Sequence, residues 1–443
     1  MNAHLFPLRR AAAVFGLVAT LSLGLTSFAR AVDIKEVTSP GGIHALLVED
    51  YTNPLIAMRF AFKGAGSTQD ASGKEGTANL LSGLLDEGAG DIGSADFQSK
   101  LDELGVSLSF DSSYDNFSGN FRTIVENEDA AFDLLRLAVN EPRFDEEPVA
   151  RIRGQIAAGI VANEQDPQTL ASKAFRNTVF PNHPYARPAE GTVDTLNAVT
   201  ADDLRAFRSK TFGRDNLVVG VVGAIDEATL KRRLDEIFLP LREKADLVAV
   251  PDTQPVTGKR DAVTLNLPQT QIQFALPGVK RDAPEFFAAY LANHILGGGT
   301  FSSRLYQEIR EKRGLAYGAG SYLTNYDHAA MLAGATATRA DKANESIEII
   351  RAELKRLAEQ GPTQAELDTA KAFVKGSYAV QNLSSSLSIA STLVGIQLDD
   401  LGIDYIEKRQ GLIDAVTLDE VKAQAKRLLS VDPTIVTVGP ADA

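Results

Sequence analysis

The chain has 443 residues, 44% of them hydrophobic and 23% charged, with a formal net charge of −13 and no cysteine. That length holds two or three domains with full cores, and the lack of cysteine excludes a disulfide framework, a thiolate metal site and a thiol nucleophile. The acidic balance argues against nucleic acid and anionic lipid as partners.

Arg9 and Arg10 precede an apolar run over residues 11–25, and Ala29-Arg30-Ala31 has the small-x-small form of a cleavage site. This predicts a signal peptide over residues 1–31 and a periplasmic location. Residues 44–48 and 55–62 then read as paired strands around Tyr51-Thr52-Asn53-Pro54. Helices are predicted over 74–85 and 94–104, strands over 106–110 and 118–124, and long helices over 128–139 and 148–162. A Pro-rich loop from His183 to Gly191 leads to a helix over 201–211, a strand over 216–222 and a helix over 227–238.

Residues 241–261 are rich in Pro, Thr and charge without periodicity, the composition of a linker. The domains are accordingly expected over 32–240 and 262–443. In the second, a strand over 271–276 and a helix over 284–296 precede Gly297-Gly298-Gly299. Next comes a helix capped by Ser302 or Ser303 and closed by Gly314, with Glu308 paired to Lys312. Helices over 342–359, 364–381 and 418–429, with a Ser-rich helix before the last, lead to a strand over 434–438.

The two halves look duplicated. Phe97-Gln98-Ser99-Lys100-Leu101-Asp102-Glu103-Leu104-Gly105 aligns with Tyr306-Gln307-Glu308-Ile309-Arg310-Glu311-Lys312-Arg313-Gly314 at a constant offset of 209. Grouped strands and grouped helices predict α+β domains, each a mainly antiparallel sheet with helices on one face. Arg310 falls opposite Leu101 and Tyr317 opposite Leu108. An arginine in a last helical turn also complements the helix dipole, and a strand tyrosine also packs. The framework repeats, however, and these two side chains do not.

The chain resembles the pitrilysin-like (M16) zinc peptidases over nearly all of its mature length. The likeness rests on the duplication, on Asn163-Glu164-Gln165-Asp166-Pro167, on His183-Pro184-Tyr185-Ala186-Arg187-Pro188, and on Gly297-Gly298-Gly299 through Ser303-Arg304-Leu305 to Gly314-Leu315-Ala316-Tyr317. Active members carry H-x-x-E-H on a first-half helix, with a distant glutamate completing the zinc ligands. The resemblance puts Asn79, Ser82, Gly83 and Gly159 at those four positions, all without the chemistry. His44, His183, His294 and His328 show no metal-ligand spacing.

The resemblance also maps the family's substrate-binding arginine and tyrosine onto Arg310 and Tyr317. It implies a zinc-free subunit, inactive alone, that binds peptide and works with an H-x-x-E-H-bearing partner supplying the zinc. The alternative is a non-hydrolytic scaffold or peptide-binding protein of the same fold.

Overall fold

The computed structural model describes residues 33–440; the expected signal peptide lies outside them. Two sheets organise the chain. The first contains β1 (Lys35–Thr38), β2 (His44–Glu49), β3 (Leu55–Lys63), β4 (Ser107–Ser112), β5 (Asn116–Ile124) and β6 (Leu217–Gly223), in the order β1-β2-β6-β3-β5-β4. The second contains β7 (Arg260–Thr264), β8 (Gln269–Pro277), β9 (Ala316–Tyr326), β10 (Ala329–Arg339) and β11 (Thr434–Gly439), in the order β7-β11-β8-β10-β9.

Five strands of the first sheet match the second one for one. β2 runs parallel to β6 as β7 does to β11, and every other pair in both sets is antiparallel. The duplication seen in the sequence is therefore a duplication of topology, and the fold is α+β with mainly antiparallel sheets as expected.

One face of each sheet carries its own half's helices. In the first, Phe60, Phe62, Leu217, Val219 and Val221 meet Leu80, Phe132 and Leu234 in one core. The opposite face receives a single helix from the other half. Helix Ser386–Leu398 lies on β3 and β6, and helix Pro167–Val179 lies on β8 and β11. The second contact buries Phe175 and Val179 against Ala275, Met331, Ala333 and Val436.

The first contact needs a residue without a side chain. A Cβ on Gly220 would stand 2.7 Å from the Ala390 carbonyl oxygen and 2.8 Å from Leu393 Cβ. The Gln397 Nε2 group also donates to the Val219 carbonyl at 3.0 Å.

Several local readings change. The helix expected over 74–85 is Thr77–Ser82, because Gly76 enters with φ +95° and Gly83 closes it, leaving Leu84 and Leu85 buried in turns. Helix Pro167–Val179 was not predicted, although Asp166 caps it by accepting from the Thr169 N–H and Pro167 opens it. Strand β7 occupies the end of the segment expected to be linker; its exposed side chains give no alternation to detect. Upstream of β7, that segment is pinned by main-chain bonds from Thr253 to His328 and from Val256 to Val179.

The crossed helix packing gives a prediction. Gly220→Ala should destabilise the chain by about 1–3 kcal/mol through overpacking. Gly395→Ala, on the same helix with open space at its Cβ, should stabilise it by about 0.5–1 kcal/mol. Urea-unfolding midpoints of the two variants check the contrast.

Candidate functional site

The stretch following helix Phe286–Asn293 builds the part of the surface that holds Arg310 and Tyr317. That helix ends in a π-helical turn, His294–Gly298. Gly297 passes so close to β9 that a Cβ there would stand 2.5 Å from the Ser321 nitrogen. Asn293 and Ser321 lock the contact: the Ser321 hydroxyl donates to Asn293 Oδ1 at 2.7 Å, and the Asn293 amide donates to the Ser321 carbonyl at 3.3 Å.

Ser303 takes the N-cap position of the next helix, but its hydroxyl donates back to the Thr300 carbonyl instead of accepting a helical N–H. That helix runs through Arg304–Tyr306 and widens into a second π turn, Gln307–Glu311, where the Lys312 N–H reaches the Gln307 carbonyl. Gly314, at φ +62°, reverses the chain into β9.

Two cations of this stretch, Arg304 and Arg310, do different work. Arg304 is mostly buried and grips Glu366 with two bonds of 2.7 and 2.9 Å, also donating to the Gly361 carbonyl. Bonded chiefly to Arg304, the Glu366 carboxyl is held down at about 2 while it caps helix Gln364–Asn382. Arg304 is thus a structural tie.

Arg310 is left open. Its side chain is 39% exposed, its nearest carboxylate is the adjoining Glu311 at 3.9 Å, and its guanidinium carbon lies 4.9 Å from the Tyr306 ring centroid. Glu308, which could have competed for it, is taken by Lys312 and Arg313, each at 2.6 Å. Those two bonds hold the Glu308 carboxyl below its ordinary range.

Tyr317 is 90% exposed. It lies in a β-bulge: Ala316 pairs with Thr338 and Ala319 with Thr336, so Tyr317 and Gly318 together oppose Ala337. The buried hydroxyls of Thr336 and Thr338 donate to the carbonyls of Gly318 and Leu315, at 2.8 and 2.7 Å. A bulge on a terminal strand turns a side chain outward. The sister positions behave differently, since Leu101 and Leu108 are both core residues.

In the first half, Asn79, Ser82 and Gly83 share one half-buried face of their helix. The space at Gly83 is filled by Ile152, from helix Glu146–Ala162, which also carries Gly159. Gly159 is exposed beside a cavity of about 600 Å³ that Ile156, Leu170 and Arg176 also line.

Ser82 spends its hydroxyl on the Asn79 carbonyl at 2.8 Å, and the two glycines offer nothing. Among the described residues, no group of three or more histidines and carboxylates could hold a metal ion. His44 meets Thr38, His183 meets Pro251, His294 packs on Phe373 and His328 pairs with Asp252.

The helix bearing the first three positions begins on a buried acid. Asp70, 5% exposed, accepts from the N–H groups of Gly76 and Ala78 at 2.8 and 2.9 Å. Burial outweighs those bonds and pushes its carboxyl up to about 7.

Arg310 and Tyr317 stand out in the sequence, whereas most of the groups that surround them do not. Tyr306, four residues before Arg310, had a visible i,i+4 signal; the threonine-braced bulge had none.

Comparison with known proteins bears on this arrangement. Residues 58–193 match the model for the insulinase family (peptidase family M16), and residues 198–374 match the peptidase M16 inactive domain. An uncharacterized zinc protease of Streptomyces coelicolor is 28% identical over 425 residues, covering 92% of this chain and 90% of its own. The non-peptidase homolog YmxG of Helicobacter pylori is 29% identical over 349 residues, 78% of this chain and 79% of its own.

A crystal structure described as a peptidase M16 inactive domain, from Pseudomonas fluorescens, superimposes with a TM-score of 0.85 at 28% identity. It spans 92% of this chain and 98% of the other. The zinc that the family's fold carries elsewhere asks for imidazole and carboxylate ligands, and Asn79, Ser82, Gly83 and Gly159 do not fit it.

Two predictions separate structural from open groups. Arg304→Ala should cost about 1–3 kcal/mol, because it leaves Glu366 unpaired, whereas Arg310→Ala should stay within about 0.5 kcal/mol of the parent; urea denaturation measures both. Asp70 binds its proton more tightly in the folded chain than in the unfolded one. Its contribution is therefore full below about pH 4 and is lost as pH rises through about 7. Asp70→Asn removes that titration, so the variant should gain stability relative to the parent between pH 5 and 8, as read from unfolding midpoints across that range.

Proposed function

The chain belongs to the M16 peptidase family as a member without the zinc-binding residues, and from that premise we propose that it is the zinc-free subunit of a two-chain peptidase. The observation that carries this reading is a contrast between its halves. The positions for zinc hold two glycines, an amide and a hydroxyl already engaged, while Arg310 and Tyr317 stand open where the other half buries leucines.

A separate chain with an intact H-x-x-E-H motif supplies the metal and the general base. This chain supplies a guanidinium and a phenol, both hydrogen-bond donors; the carboxylate beside the guanidinium, Glu311, is 3.9 Å away, beyond hydrogen-bond reach. They bind the carbonyl oxygen of an extended peptide and donate more strongly as negative charge gathers on that oxygen. The peptide lies as an added strand, for which β4 and β9 are the terminal strands of their sheets. The substrates are unfolded polypeptides, and the apolar run before Ala29-Arg30-Ala31 exports the chain to meet them in the periplasm.

Mixing the purified chain with the H-x-x-E-H chain of the same cell and following a fluorogenic peptide tests the assignment. Arg310→Ala and Tyr317→Phe should each lower the rate of the mixture by about 10² to 10³ without impairing association of the two chains. Unchanged cleavage with both variants would remove the two residues from the reaction.

A further inference from the structure

Within that proposed role for Arg310, we infer that Tyr306 is its positioning residue, a π-face that holds the guanidinium without occupying its donors. The surroundings of Arg310 pose the question. An arginine side chain is flexible, and holding one in place usually takes a carboxylate that consumes its N–H groups. Here Glu308, two residues before it, is spoken for by Lys312 and Arg313. The remaining neighbour, Glu311, reaches only 3.9 Å. What lies against the guanidinium is the Tyr306 ring, with the centroid 4.9 Å from the guanidinium carbon.

The ring is itself fixed. Tyr306 is 4% exposed, and Phe301 stands edge-on to it with centroids 5.1 Å apart and planes at 85°. Thr300 just before takes φ +46°, a left-handed conformation that a β-branched residue rarely adopts. It sits in the short turn that brings Phe301 over the ring. The Tyr306 hydroxyl is buried without a hydrogen-bond partner, so the ring face, which phenylalanine shares, is the part that serves Arg310. A contact to the ring face spends none of the five N–H donors, which remain for a substrate carbonyl.

The experiment varies the face and keeps the shape. Tyr306→Phe retains the ring and removes the orphaned hydroxyl. The same protein with a trifluorinated phenylalanine at that position has nearly the same packing and a depleted π-face. In the isolated chain, the Arg310 side-chain ¹⁵Nε resonance, assigned by its loss in Arg310→Lys, should report an ordered guanidinium in the parent and in Tyr306→Phe, and a mobile one in the fluorinated protein.

In the mixture with the H-x-x-E-H chain, fluorination should lower kcat by about threefold to thirtyfold, the span of a cation–π contact, with KM little changed; Tyr306→Phe should restore the rate. An Arg310 signal equally ordered with and without fluorine overturns the inference. Loss of order with unchanged cleavage leaves Tyr306 as the positioning residue and instead removes Arg310 from the reaction.

Discussion

Each half of this protein gives a helix to the back of the other half's sheet, and the arrangement of everything else follows from that exchange. Helix Pro167–Val179 crosses onto β8 and β11, and helix Ser386–Leu398 crosses onto β3 and β6. Both sheets accept a helix on a face that would otherwise be wet, and they do so with small or absent side chains: Ala275 and Ala333 in one case, Gly220 in the other. Burying apolar surface on both faces makes each sheet depend on the other half for its stability. It also fixes the geometry between Arg310 and Tyr317 on one side and Asn79, Ser82, Gly83 and Gly159 on the other.

Duplication then supplies an internal control. The same helix-to-strand reversal occurs twice, closed each time by a left-handed glycine, Gly105 and Gly314. In the first copy Leu101 and Leu108 go into the core. In the second, a π-helical turn and a bulge redirect the equivalent positions outward, and the side chains become an arginine and a tyrosine. Two backbone irregularities and two polar residues appear together where one copy needs neither. That coincidence is hard to attribute to packing and natural for a surface that binds something.

Much of this was legible in the sequence, for physical reasons that also mark where legibility stops. Strand alternation and helical spacing report burial, so β3, β5, β6 and the long helices were readable, as was the repeat. Helix Pro167–Val179 carried a readable start, Asp166-Pro167, yet its buried face meets a sheet some hundred residues further on, and nothing local called for it. Strand β7 is paired but exposed, so it left no pattern. The residues of the candidate site were visible as types in a spacing. Their setting was not: the π turn, the bulge braced by Thr336 and Thr338, and the allotment of Glu308 and Glu366 to other cations arise only when distant segments pack.

The central claim is that a chain without zinc ligands completes an active site held by another. Titrating this chain into a fixed amount of its H-x-x-E-H counterpart, and recording the initial rate of peptide cleavage, addresses it directly. The account predicts negligible cleavage by either chain alone and a rate that rises to a plateau at equimolar ratio. A counterpart whose cleavage is indifferent to the added chain, or a chain that cleaves peptide unaided, would contradict it.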